Sequence, residues 1–541
     1  MNVSNLRIKQ IVVFIAALAL VFIPVLLIEY KVFNFTKGIF MYPLDDTFIH
    51  MTIAKNISLH DNWGMNTNEF ASASSSILYS LLLAASFRVF SVQVIVPFII
   101  NAIAGVILMA VLQRWLQKQN IPALVQVIIL ACVIFFTPVP IIIISGMEHT
   151  LQCIFSFLFI FGFSRWLAIK LKEEKKERWK LPGSIFILGA LTCSIRYEGM
   201  FIVAVVCLML LYYRKIGLSF LLCIVSLSPL IIFGIYSVIK GSYFLPNSVL
   251  IKSATAPLSV SGIIHTISDI LIDKLTIQKG GITSLATQRL LIILPLTYLI
   301  FYRQLKQNIE YAYILLILIF TTLLHLAFAS TGWFYRYEAY LMLGSVTIIG
   351  VILYKYLNEI SFSFIRKTSL IIIVALFALF FPLILRSTAA FSKAAQACIN
   401  IYEQQFQMAK FVHEFYNNET VAANDIGAIT FYKDGNNLDL WGLGNIEVAR
   451  SREGNYYTPG FLDSLSRKKD ADVAIVYDSW FSDSLLHKWN KVATWQIKNN
   501  VICGDDIVSF YAIDETAASP LKENLKKYQS SLPSDVTVKY Y

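Results

Sequence analysis

Charge is the scarcest property of this sequence. Only 15% of its 541 residues are Asp, Glu, Lys or Arg, while 57% are hydrophobic and the mean hydropathy is +0.64. Soluble domains carry about 25% charged residues, so an ordinary water-soluble protein is excluded and lipid is the solvent for most of the chain. There is no CxxC pair, which removes zinc-ribbon and dithiol motifs, and no glycine-rich phosphate loop. No arginine–glycine tract or basic stripe with interleaved aromatics accompanies the net charge of +11, so nucleic acid is set aside. The Lys and Arg residues sit instead in short loops between apolar runs, the signature of membrane topology.

What is present in quantity is apolar runs near bilayer length, about 20 residues, recurring from Ile11 to Arg386. They predict eleven spans: 9–30, 92–113, 122–143, 148–169, 181–195, 198–213, 217–238, 288–302, 310–329, 338–356 and 368–386. A further stretch, Ile77 to Phe90, is short for a span and carries Arg88 near its end, so it is expected to lie on the surface. The loops with Arg114 and Lys118, Lys170 to Lys180, Arg214 and Lys215, Arg303 and Lys306, and Arg366 and Lys367 then share the side of the N-terminus. This obeys the positive-inside rule throughout. The first apolar run follows Arg7 and Lys9 and ends at Glu29 without a small-residue cleavage site, so it reads as a retained anchor.

The expected fold is a polytopic α-helical membrane protein of about eleven transmembrane helices with a C-terminal extracytoplasmic α/β domain. The membrane part covers 1–390, with outer loops at 31–91 and 239–287, and the soluble part covers 391–541. In the latter, Thr420 to Ala423, Asp472 to Val476, Val492 to Ile497 and Ile507 to Ile513 are predicted strands. Five of the seven cysteines lie in apolar runs; Cys398 and Cys503 fall in the soluble part, where a disulfide is permitted.

The outward loops gather polar residues that a membrane tolerates only when they face one another or water. They hold Asp45 and Asp46; Glu148 and His149; Arg196 and Glu198; Asn247 through Lys252; and Arg336 and Glu338. A shared polar cavity accounts for them economically, while interfacial anchoring accounts for a lone Arg, Tyr or Trp. In Pro43-Leu-Asp-Asp-Thr-Phe-Ile-His, Asp45 is the expected N-cap of a helix. Asp46 and His50 then share one face at i and i+4 and are placed to share a proton or a metal. Glu148 and His149 can join them in a donor set suited to Mg²⁺ or Mn²⁺; the sequence demands no cofactor. Arg196 with Glu198, and Arg336 with Glu338, can equally be structural partners. Residues 62–76, NWGMNTNEFASASSS, form a loop whose hydroxyls suit a sugar or a turn, and 263–275 has a helical apolar period suited to a surface helix.

The order of LDDTFIHMTIAKNI, ASASSSILYSLLL, SGMEHTL, IRYEGMF, YFLPNSVLIKS, NDIGAITFY and LDLWGLGN resembles the GT-C superfamily of integral-membrane glycosyltransferases. The resemblance is to the bacterial branch containing mycobacterial terminal arabinofuranosyltransferases. ASASSS stands where relatives often have an aromatic-Thr-Ser-Pro element, and IRYEG where Arg-Pro-Glu-Gly is common. The resemblance implies transfer of a hexosyl or pentosyl group, with inversion, from a polyprenyl-phosphate-linked sugar to an envelope glycan, lipid or protein, in a multi-pass protein of the bacterial inner membrane. It makes the acidic pair catalytic, Asp45 being the first candidate for the base and Asp46 the second. Arg196, Arg336 and Lys252 would hold the donor phosphate, and His50, Glu148, His149, Glu198 and Asn247 would contact acceptor or sugar. A transporter or flippase of a lipid-linked envelope precursor is the alternative reading; it would usually show internal repeats, and no convincing one is present.

Overall fold

A computed structural model describes residues 3–173, 179–252, 281–357 and 365–541. The piece at 263–275 and part of the 170–180 loop lie outside them, as does the side chain of Lys252. The chain is mostly helical, with a small sheet domain at its C-terminal end. It opens with α1 (Val3–Phe35), whose apolar side chains are exposed along one side as a lipid-facing helix requires. Next come α2 (Asp46–His60) and α3 (Ile77–Phe90), which pack against each other. The bundle continues with α4 (Val96–Lys118), α5 (Ala123–Phe136), α6 (Val139–Ile144), α7 (His149–Lys172), α8 (Gly183–Ile195), α9 (Gly199–Tyr212) and α10 (Ile216–Ile239). After the short α11 (Asn247–Lys252) follow α12 (Gly281–Ile300), α13 (Tyr302–Gln307), α14 (Ile309–Phe328), α15 (Ala339–Tyr356) and α16 (Ile365–Ile401).

Among the described residues six helices are long and apolar enough to cross a bilayer, those of Arg7–Phe35, Val96–Lys118, His149–Lys172, Ile216–Ile239, Ile309–Phe328 and Ala339–Tyr356. Shorter apolar helices accompany them at Ile77–Phe90, Ala123–Phe136, Gly183–Ile195, Gly199–Tyr212 and Leu285–Ile300. The protein is therefore membrane-embedded. Two expectations need correction. The stretch 122–143 is two helices, because Pro138 and Pro140 cannot donate to the ladder and the chain turns at Thr137. The helix α16 runs unbroken through residue 390, where the domain boundary was expected, and carries its 37 residues from the bundle into the soluble unit.

Beyond a wide helical turn at Tyr402–Phe406 and α17 (Gln407–Phe415) lies a mixed sheet. Its strands are β1 (Thr420–Ala423), β2 (Asn437–Asp439), β3 (Ala471–Val476), β4 (Asn490–Gln496), β5 (Ile507–Ala512) and β6 (Thr537–Tyr540), in the order β2-β1-β3-β5-β4-β6. The strand β1 is parallel to both neighbours, with Val421 opposite Asn437 and Ala423 opposite Ile475; the other pairings are antiparallel. Between β1 and β2 stands one short helix, α18 (Gly427–Phe431). Trp495 anchors the core, its ring 4.4 Å from Phe510 and 5.7 Å from Phe411. Cys398 and Cys503 are free thiols, so the permitted disulfide is not formed; the Cys503 thiol lies 3.3 Å from Gln405 Oε1.

The soluble unit docks on α2 through α18. Lys55 Nζ donates to Phe431 O at 3.0 Å, Asn437 N donates to Asn66 Oδ1 at 2.9 Å, and Asn66 Nδ2 returns a bond to Asn437 O at 3.2 Å.

Candidate functional site

The helix α2 begins where Pro43 and the following acidic pair stop an extended segment, and its register puts Asp46, Ile49 and His50 toward one cavity of about 200 Å³. Around them stand Ser75, Met147, the Arg196-Tyr-Glu198 turn between α8 and α9, Ser248 and Val249 of α11, the Phe328–Ser330 segment after α14, and Arg336 and Tyr337 before α15. Leu443 of the soluble unit closes the roof. Gly199, which follows Glu198, lets the turn close, since a Cβ there would stand 2.1 Å from Thr192 O.

Charges meet in this space although they come from distant parts of the chain. Arg336 forms an ion pair with Asp46 and also donates to Met147 Sδ at 2.9 Å. Arg196 is held by two carboxylates, with Nη1 2.6 Å from Glu148 Oε1 and Nη2 2.5 Å from Glu198 Oε1. The second oxygen of Glu148 lies 3.5 Å from His50 Nε2, and His50 Nδ1 is 3.1 Å from Ser74 Oγ. Tyr337 supplies a shared aromatic surface, its ring 5.3 Å from the Arg196 guanidinium and 5.0 Å from that of Arg336. Burying an ion costs several kcal/mol unless it is paired, yet Glu148 is 0% and Arg336 only 1% exposed. Burial opposes the charge on Arg196 and Arg336, but carboxylates and Tyr337 outweigh it and both stay cationic. Burial pushes His50 below its usual range, against the pull of Glu148 and Asp46, so its imidazole is neutral at pH 7.

Asp45 lies elsewhere. Its carboxylate does not cap α2; it reaches across the domain seam, where Gly427 N donates to Oδ2 at 2.6 Å and Ala428 N to Oδ1 at 2.8 Å. Gly427 is required by that approach, since a Cβ there would stand 2.6 Å from the carboxylate oxygen. Asp425 meets Asp45 side by side and itself accepts from Gln405 Nε2 at 2.8 Å and Tyr477 OH at 3.0 Å. Burial, followed by the neighbouring Asp425 charge, pushes Asp45 well above the carboxylate range; burial raises Asp425 as well. The NDIG turn therefore holds a carboxylate from the membrane half of the same chain.

The other expected residues divide. Glu198 lines the cavity and pairs with Arg196 as the sequence allowed, whereas Glu338 pairs with Arg386 at 2.7 Å and not with Arg336. His149 is buried beside Tyr337, ring to ring 6.1 Å, and neither ring nitrogen has a hydrogen-bond partner among the described residues. Asn247 binds Leu443 O at 3.3 Å and ties α11 to the roof, behind the cavity wall. No group of three or more His, Cys, Asp or Glu side chains is arranged to hold a metal among the described residues. The carboxylates expected to do so are engaged with arginines. Sequence reasoning missed Tyr337 and Arg386; a lone Arg at the end of the last apolar run was the one available signal, and it marks a guanidinium that also donates to Tyr335 O at 2.7 Å and Phe136 O at 3.0 Å.

Residues 399–511 match a family described as Domain of unknown function (DUF8728). That span runs from the end of α16 to β5, a minor part of the chain. No curated protein matches the chain.

Proposed function

We propose that this protein is a GT-C-type glycosyltransferase that moves a sugar from a polyprenyl phosphate to an envelope acceptor at the extracytoplasmic face of the bacterial inner membrane. The observation that carries the reading is the meeting of Asp46, His50, Arg196 and Arg336 in one cavity with a largely apolar wall of Ile49, Met147, Met200, Phe201, Val249 and Phe328. A lipid-linked sugar phosphate needs both an apolar path for its chain and a cation at its phosphate. If α1, α4, α5 with α6, α7, α8, α9, α10, α12, α14, α15 and α16 each cross the bilayer, the basic loops fall on one side, as the positive-inside rule requires of this topology.

Asp46, and not Asp45, is the base in this reading, because it lines the cavity while Asp45 is committed to backbone amides. With His50 neutral, three carboxylates (Asp46, Glu148, Glu198) face two guanidiniums, so no cation is spare. The donor phosphate takes Arg336 from Asp46 on binding, and the released carboxylate becomes the general base. The acceptor oxygen attacks the anomeric carbon as its proton passes to Asp46, and the anomeric C–O bond breaks with its electrons going to the phosphate, held by Arg336. Arg196, clamped by two carboxylates, positions Glu148 and Glu198. The test is purified protein in liposomes with a polyprenyl-phosphate sugar and an acceptor: release of polyprenyl phosphate is expected, and transbilayer movement of intact donor without release would overturn the proposal in favour of a flippase.

A further inference from the structure

A second cavity, of about 280 Å³, lies at the other end of the bundle and takes no part in the chemistry above. It is lined by Lys118 at the end of α4, Arg165 and Lys172 on the last turns of α7, Ile169 between them, and Asn308 and Glu310 at the start of α14. The helices α7 and α14 fix its depth. The first begins beside the catalytic cavity at His149 and ends at Lys172, and the second begins at Glu310's turn and ends at Phe328, which lines the catalytic cavity. Twenty helical residues cover about 30 Å, the thickness of the hydrocarbon core. The two cavities therefore sit at opposite membrane–water boundaries.

We infer that this cleft binds the headgroup of an anionic glycerophospholipid such as phosphatidylglycerol, drawn from the leaflet opposite the catalytic cavity. Cations at helix ends are common in membrane proteins, but here Arg165 and Lys172, seven residues apart on one face, converge with Lys118 from a neighbouring helix around one open cleft. Three cations against the one carboxylate of Glu310 leave the lining at +2, which selects a phosphate. Glu310 Oε1 is buried with no hydrogen-bond partner among the described residues, so an acceptor stands ready for a headgroup hydroxyl. Ile169, 51% exposed on the rim, offers apolar surface to the first carbons of an acyl chain. A free phosphate could use the cations and, through a P–OH, the Glu310 acceptor, but not the apolar rim.

Native mass spectrometry of the full chain, with phosphatidylglycerol or phosphatidylcholine added to the detergent, tests this. The wild type is expected to retain phosphatidylglycerol in preference to phosphatidylcholine, and inorganic phosphate at millimolar concentration is expected not to displace it. Each cation near an anionic headgroup is worth roughly fivefold in affinity. The Arg165→Gln and Lys172→Gln variants should each lose about that much, and the triple variant with Lys118→Gln on the order of 100-fold. Lys522→Gln with Lys526→Gln and Lys527→Gln, the same charge change in the soluble unit, should leave retention unchanged. Equal retention of the two lipids by wild type, equal loss in the control, or displacement by inorganic phosphate would each overturn the inference, and none depends on whether the protein transfers sugar.

Discussion

Replacing Asp45 by alanine strips the acceptor from two backbone amides, those of Gly427 and Ala428, at the point where α18 meets α2. Asp45 is 8% exposed, and water does not replace both bonds without opening the seam. A buried donor left unmade costs roughly 1–3 kcal/mol, so two cost about 2–6 kcal/mol, a sizeable share of the 5–15 kcal/mol that typically holds a domain folded. Relief of the Asp45 and Asp425 contact returns part of this, so the lower half of the range is expected. Hydrogen–deuterium exchange of the peptide spanning 424–432 reads it directly: about 3 kcal/mol corresponds to roughly a hundredfold faster exchange. The membrane helices and the Trp495 core should exchange as before. Unchanged protection of that peptide would refute the assignment of Asp45 to the seam and reopen its candidacy as the base.

Other outcomes follow from the same contacts. Asp45 and Asp425 both titrate above the ordinary carboxylate value of 3.8 when folded, so the folded seam binds more protons than the separated one. Docking is fully stable below that value and weakens as pH rises toward the folded pKa, by up to about 1.4 kcal/mol per unit per proton. In Asp425→Asn the amide donates to Asp45, and exchange of peptide 424–432 should become slower at pH 7 and nearly independent of pH; a retained slope contradicts this. Gly427→Ala inserts a Cβ against the Asp45 carboxylate and should cost about 1–3 kcal/mol, seen as selective deprotection of α18. Removing Arg196 strands Glu148 and Glu198, so Arg196→Met should lower thermal stability by about 3–5 kcal/mol. Adding Glu148→Gln and Glu198→Gln should recover much of that loss in the same unfolding assay.

What the sequence made legible was whatever depends on local pattern. Apolar runs announced the helices that pack in the bundle, and the i, i+4 spacing of Asp46 and His50 announced that both face one space, as they do at the cavity. The strands β1, β3, β4 and β5 showed as short apolar runs, but β2 is three residues long and β6 alternates half-buried and exposed side chains, so neither left a run to see. Long-range partners had no local trace. Arg336 is two residues from Glu338, which made that pair the natural guess, yet the chain turns so that Arg336 meets Asp46, 290 residues away, and Glu338 meets Arg386. Asp45 and Asp46 are adjacent and chemically identical; only the tertiary arrangement sends one to the seam and the other to the cavity.

The division of labour between those two aspartates is where the account is most exposed. Single-turnover transfer by Asp46→Asn, with donor bound at saturation in liposomes, is the decisive measurement. Loss of a general base predicts a rate reduced by about 10²–10⁴, with donor retained and tighter, because Arg336 no longer has a carboxylate to release. Wild-type transfer by Asp46→Asn would contradict the mechanism at its centre.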